Sequence, residues 1–179
     1  MRTSRGYDRP VLPLESTSTE LDQRMFVSCP ANAALIYLSD FVRARRSACD
    51  DGKLGYAQLA LRPPVMLSVI EAEIVLQRDV VVEIAPAENA EDGETFGVTW
   101  APAGGGPFPR FRGSLRVERD DARSCCLVLQ GSCGPAAAGG SRDSEQALGH
   151  RITVSAARMF LRELRTELET FSRFEERTI

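Results

Sequence analysis

His150 is the single histidine of the chain, and it stands directly beside Arg151. A general base must lie within hydrogen-bond reach of the proton it takes. The apolar helical stripe around it passes through Leu148 and Ile152, which leaves position 150 off that stripe. His150 therefore reads as a partly exposed residue at the start of a helix. Glu71, Glu73 and Glu83 fall on the polar side of alternating segments and read as solvated carboxylates. The five cysteines, Cys29, Cys49, Cys125, Cys126 and Cys133, are irregularly spaced, with no CxxC pair. A zinc site needs clustered thiolates or imidazoles, so no metal is expected. Cys125 and Cys126 are adjacent and must point to opposite faces of a strand. The thiols read as small buried hydrophobes in a reducing compartment. No catalytic residue and no cofactor is assigned.

Arginines form two clusters. Arg43, Arg45 and Arg46 close an apolar helical segment, where positive charge suits the negative end of the helix dipole; a phosphate-binding patch is the alternative. Arg110, Arg112, Arg116, Arg119 and Arg123 are interleaved with Glu118, Asp120 and Asp121, as on a solvated hairpin. No exposed aromatic alternates with them, as base stacking would require. With a net charge of only −3, generic electrostatic binding of nucleic acid is not expected. The glycine run in APAGGGP, 101–107, lacks the GxxxxGK[ST] pattern and precedes proline, so it reads as a loop and not a phosphate cradle.

These residues must be positioned by the elements around them. Residues 1–18 read as a flexible leader and 19–179 as one domain. A hydrophobic content of 43% is enough for a sizeable core. A strand over 20–28 ends at Cys29-Pro30, and Pro30 suits the first position of a helix running to about residue 47. CDDGKLG, 49–55, is a loop, and 56–61 reads as a short helix or irregular cover closed by Pro63-Pro64. Period-two alternation then marks strands at 70–77, 80–84 and 96–100, with a polar turn over 87–94. Phe111, Gly113, Leu115 and Val117 alternate with Arg112, Ser114, Arg116 and Glu118. Asp120-Asp121 turns the chain, and 125–130 is apolar on both faces, as in a central strand. A glycine-rich loop over 134–143 leads to a long helix. Its stripe is Leu148, Ile152, Ala156, Met159, Phe160, Leu164, Leu168 and Phe171, with Asp143 and Gln146 at capping-box spacing.

The order is strand, helix, about five or six strands, then one long helix that must lay its apolar face on the sheet. Short turns make the sheet antiparallel and the class α+β. Three segments carry a family resemblance: VSCPANAALIYLSD (27–40), FPRFRGSLRVERDDARSCCLVLQGSCGP (108–135) and LGHRITVSAARMFLRELRTEL (148–168). Their order and spacing resemble the helix-grip fold of the SRPBCC superfamily, which includes START domains and polyketide cyclase-like proteins. The Trp strand, Gly-rich loop, Phe-Pro and His-Arg-Ile opening of the last helix resemble uncharacterised bacterial members. Those usually carry an aromatic residue and two prolines after the late strand, where this chain reads Ser132-Cys133-Gly134-Pro135-Ala136.

The resemblance implies a curved sheet wrapped around the C-terminal helix, with a cavity between them, and it implies no particular reaction. The expected function is binding of a small hydrophobic or amphipathic molecule. Its lining would be Ile70, Ile74, Trp100, Phe111, Leu115, Leu127 and Leu129 from the sheet, with Ile152, Ala156, Met159 and Phe160 from the helix. Trp100 could anchor the ligand through its ring and N–H. The alternatives are a polyketide cyclase/dehydrase-like enzyme, or a scaffold in which the same residues form a filled core. No stretch approaches a membrane span and the N-terminus is not a signal peptide, so a cytoplasmic protein is expected. No pattern in the chain specifies an oligomeric state.

Overall fold

The computed structural model describes residues 18–46, 57–61, 64–69, 72–77, 79–87, 95–103, 109–134 and 142–176. The chain opens with β1 (Thr19–Val27) and α1 (Ala31–Arg46). Seven strands follow: β2 (Ala57–Leu61), β3 (Pro64–Val69), β4 (Ala72–Gln77), β5 (Val80–Pro86), β6 (Thr95–Pro102), β7 (Phe111–Arg119) and β8 (Cys125–Cys133). The long helix α2 (Arg142–Glu176) ends the order. Six strands form one antiparallel sheet in the order β1-β8-β7-β6-β5-β2, and β3 and β4 form a separate antiparallel pair. This is the α+β helix-grip arrangement, with α2 packed against β1 and β8 and α1 against β2, β5, β7 and β8.

Three local readings are corrected. Residues 57–61 are neither helix nor irregular cover: they form the edge strand β2, paired with β5 from Ala57↔Ile84 to Leu61↔Val80. Their alternation is too short to stand out alone, and tertiary pairing decides. Residues 64–69 form a strand that begins at a proline, as a strand's first residue can. That strand takes β4 as its partner, so Ile74 lies outside the six-stranded sheet. Finally, α2 begins at Arg142, so Arg142 and Asp143 are helical and Asp143 lies in the first turn rather than before it. Nothing between Arg142 and Leu148 breaks a helix, which runs back to the end of the glycine-rich segment.

The leader up to residue 17, the loop at 49–55, the turn at 88–94, the glycines at 104–106 and the segment 135–141 lie outside the described residues. So do Ile70 and Glu71.

Register explains the faces. Trp100 pairs with Phe111, Phe111 with Cys133, Leu115 with Leu129, and Leu129 with Gln23. These residues and their same-face neighbours line the concave side. Val82, Ile84, Val98, Leu115, Leu127 and Leu129 are wholly buried there, in one cluster with Leu38 of α1 and Phe160, Leu161 and Leu168 of α2. The apolar stripe of α2 is wider than its period predicts, because Thr153, Ala157 and Leu161 form a second buried row beside Ile152, Ala156 and Phe160.

The helix ends are tied by specific contacts. Ala34 N–H donates to the Pro30 carbonyl at 3.0 Å, which places the proline at the boundary of α1. The Ser28 amide donates to Glu169 Oε1 at 3.2 Å, joining the β1–α1 turn to α2. The Tyr37 ring lies 5.3 Å from that of Phe171, and the Tyr37 hydroxyl donates to Glu167 Oε2 at 3.4 Å. At the β7–β8 turn, Asp121 Oδ1 accepts from the Arg123 amide, and the Ser124 hydroxyl donates to Asp120 Oδ2 at 3.0 Å.

Candidate functional site

The sheet has a distinct end where Trp100 of β6, Phe111 of β7 and Cys133 of β8 follow one another in register, and α2 reaches it at Cys133 through Thr153. Gly113 and Gly131 oppose each other in β7 and β8. A Cβ on Gly113 would sit 2.5 Å from Phe111 Cζ, and one on Gly131 would sit 2.7 Å from the same atom. The Phe111 ring therefore leans along its own strand into the space that two missing side chains leave, a known use of strand glycines. Trp100, its register partner, stacks on it with ring centroids 3.9 Å apart and planes 16° from parallel.

Two polar atoms at this end are buried without satisfaction. Trp100 Nε1 and Thr153 Oγ1 have no hydrogen-bond partner among the described residues, and their residues are 2% and 1% exposed. Thr153 is informative because α2 holds comparable threonines. Thr166 and Thr170 donate back to the carbonyls of Arg162 and Thr166 at 3.0 and 2.7 Å, as mid-helix threonines do. Thr153 makes no such bond. Its neighbour is Cys133: burial pushes that thiol's pKa up, and the nearby Thr153 hydroxyl pulls it partly back. The contact between them falls short of hydrogen-bond geometry.

Trp100, Phe111 and Cys133 are consecutive register partners, and Thr153 approaches Cys133. Neighbouring strands are about 4.8 Å apart, so the backbones of Trp100 and Cys133 are separated by roughly 10 Å. One small molecule can span that distance.

Of the residues expected to line a cavity, Trp100, Phe111, Ile152 and Ala156 lie at or beside this end and are buried. Leu115, Leu127, Leu129 and Phe160 have no exposed surface and form the packed interior behind it. Met159 is partly buried against the same cluster. Ile70 lies outside the described residues, as does the side chain of Ile74. Thr153, Cys133 and the Gly113–Gly131 pair were not picked out from sequence. The two glycines two positions beyond Phe111 and two before Cys133 were the available signal.

The remaining candidates sit elsewhere. His150 is exposed. Glu83 lies on the outer face and accepts from the Thr99 hydroxyl at 3.2 Å. The buried titratable groups described are thiols: Cys125 is pushed up to about 12, chiefly by burial, and Cys29 is also raised by burial. Among the described residues no group of three or more His, Cys, Asp or Glu could hold a metal ion, and no helix is long and apolar enough to cross a membrane. A cleft of about 470 Å³ lies on the outer face, lined by Glu20, Asp22, Arg112, Gln130 and Ser132. Leu21 and Gly131 complete its lining, and Gln130 donates to Asp22 Oδ2 at 2.9 Å across it.

No family model and no curated protein matches the chain. Solved structures do. The Zhui aromatase/cyclase of Streptomyces sp. R1128 is 14% identical and superposes with a TM-score of 0.53, over 85% of this chain and 94% of that one. A START superfamily protein of Mycobacterium smegmatis is 12% identical, with a TM-score of 0.47 over 84% and 97% of the two chains. Norcoclaurine synthase of Thalictrum flavum is 9% identical, with a TM-score of 0.44 over 99% and 95%. The likeness shows the fold alone: a helix grip, as in the aromatase/cyclase.

Proposed function

We propose that this helix-grip chain binds a small, largely apolar molecule between the concave face of its sheet and α2, with the ligand's polar end at Trp100 and Thr153. The observation that carries the reading is the pair of buried polar atoms without partners, Trp100 Nε1 and Thr153 Oγ1, on a face otherwise lined by hydrocarbon. An unpaired buried donor or hydroxyl costs about 1–3 kcal/mol. A filled core gains nothing from the Thr153 hydroxyl, since valine occupies nearly the same volume without that cost. A ligand bearing a polar group recovers it. Phe111, Ile152 and Ala156 would contact the ligand body, with Leu115, Leu127, Leu129, Met159 and Phe160 behind them.

A cyclase-like reaction would draw on the same space and would need an acid or base there. Among the described residues, the titratable groups buried beside the concave face are thiols, and His150 is in solvent.

The test is native mass spectrometry of the protein purified from its host, together with titration by Nile red, a neutral lipophilic dye. The expected results are a co-purified small-molecule adduct that is lost on denaturation, and saturable dye binding that changes the emission of Trp100, the single tryptophan. Absence of both an adduct and saturable dye binding overturns the reading and leaves a scaffold.

A further inference from the structure

The chemistry of the two unpartnered atoms narrows what the ligand presents to them. An indole N–H can only donate, so whatever meets Trp100 Nε1 must accept. A hydroxyl can donate or accept, so Thr153 can serve the same oxygen or a second one. The surroundings decide whether that oxygen carries charge. Trp100, Phe111, Ile152, Ala156 and Cys133 are all buried and uncharged. The arginines of the neighbouring turns of α2, Arg151, Arg158 and Arg162, are exposed, and Arg158 Nε donates to Gln23 Oε1 at 3.4 Å. The other described basic residues near these elements, Arg110 beside Phe111 and His150 one turn before Thr153, are exposed too. A carboxylate would therefore enter without a counter-charge, which an apolar interior opposes strongly. Burial raises the pKa of the Cys133 thiol, in the direction expected where negative charge is disfavoured.

Resting on the binding function proposed above, we infer that the buried end of the ligand is an uncharged oxygen acceptor, an ester, ketone or amide carbonyl, received by Trp100 Nε1–H and the Thr153 hydroxyl. Trp100, Phe111 and Cys133, the neighbour of Thr153, are consecutive register partners, so the two atoms stand on backbones about two strand spacings apart, within the span of one small molecule.

Titration calorimetry at neutral pH tests this with two matched sets of probes. One is flexible: methyl decanoate, decanoate and decane. The other is planar: methyl naphthoate, naphthoate and methylnaphthalene. In at least one set the ester should bind about tenfold or more tightly than the carboxylate, and about fivefold more tightly than the hydrocarbon. Thr153→Val keeps the local shape, Trp100→Phe keeps an aromatic ring of smaller size, and each removes one hydrogen-bonding group. Each should lower ester affinity about fivefold more than it lowers hydrocarbon affinity, with a urea midpoint confirming the fold. A carboxylate that binds as tightly as its ester overturns the inference. So do hydrocarbon affinity equal to that of the ester, and ester affinity indifferent to both variants. In each of those cases binding itself still stands. If no member of either set binds, the binding function fails along with it.

Discussion

The indole of Trp100 lies stacked on the ring of Phe111, with centroids 3.9 Å apart and planes 16° from parallel. Two rings in register on neighbouring strands do not reach such a stack if each stands straight up from the sheet. Phe111 leans toward Gly113 and Gly131, whose missing side chains leave its ring a seat. The glycine pair fixes Phe111, Phe111 fixes Trp100, and the indole N–H is held without a partner among the described residues. A backbone choice two residues away thus sets the position of a candidate binding group.

Gly113→Ala and Gly131→Ala test this chain of support. A methyl at 113 would lie 2.5 Å from Phe111 Cζ and 2.8 Å from Gly131 Cα, and one at 131 would lie 2.5 Å from Gly113 Cα. Backbone is involved in both cases, so the strain cannot be relieved by one rotamer. Each substitution should cost about 1–3 kcal/mol in urea unfolding and shift the emission of Trp100. Gly97→Ala is the control: its nearest new contact is the Ala85 carbonyl at 3.8 Å. There the midpoint should hold or rise slightly, because alanine loses less entropy in a strand.

Thr153→Val should raise the stability of the ligand-free protein by about 1 kcal/mol. The valine fills the same space and removes a buried hydroxyl that meets no described partner. Urea denaturation reads the change directly. Loss of stability by that amount would show that the hydroxyl is satisfied in the folded protein, and the case for a ligand group at that position would weaken.

The large pattern was legible because it is repetitive. The stripe from Ile152 to Phe171 and the alternation from Phe111 to Val117 each repeat often enough to fix an element and its face. β2 and β3 were not legible, because five or six residues beside Pro63-Pro64 hold too few periods to outweigh local alternatives. Thr153 was hidden by its type: a polar residue next to the stripe reads as its edge, and only packing places it in a second buried row with Ala157 and Leu161. Val128 shows the converse. It lies on the outer face of a strand read as apolar on both faces, and it is fully buried, with the charged Arg24 and Arg116 as its register partners on either side. Glu118 pairs with both arginines, at 3.5 and 3.1 Å, and this holds their aliphatic stems where they can cover it. Sequence reasoning scores arginine by its charge and misses the stem.

Glu169 links stability to acid pH. Burial pushes its carboxyl up, but hydrogen bonds from Arg165 and the Ser28 amide, with the charges of Arg165 and Arg173, outweigh that and hold it below its usual 4.5. A carboxyl lowered in the folded state contributes stability above its unfolded value. That contribution is lost as pH falls through the folded one. The urea midpoint of the wild type should therefore drop as pH falls below about 4.5. Glu169→Gln should start lower at neutral pH and drop less over the same range. Equal slopes for the two proteins would remove Glu169 from the account.

The thiols link stability to alkaline pH, with the opposite sign. Cys125 is fully buried and raised from its usual 9.0 to about 12, by burial first and then by its neighbours Cys29, Cys126 and Asp120. A thiol raised in the folded state stays protonated there while the unfolded chain ionises. Its contribution is intact below pH 9.0 and declines as pH climbs toward 12. Two measurements follow. Iodoacetamide near pH 8 should label Cys126, which is partly exposed, well before Cys29, Cys125 and Cys133, as peptide mass spectrometry would read. Cys125→Ala should lower the urea midpoint at neutral pH by opening a small cavity, yet flatten its decline above pH 9. The slope carries the argument, because the cavity lowers the midpoint at every pH whereas ionisation acts only in the alkaline window. A variant whose alkaline decline matches that of the wild type would show that Cys125 does not carry the linkage.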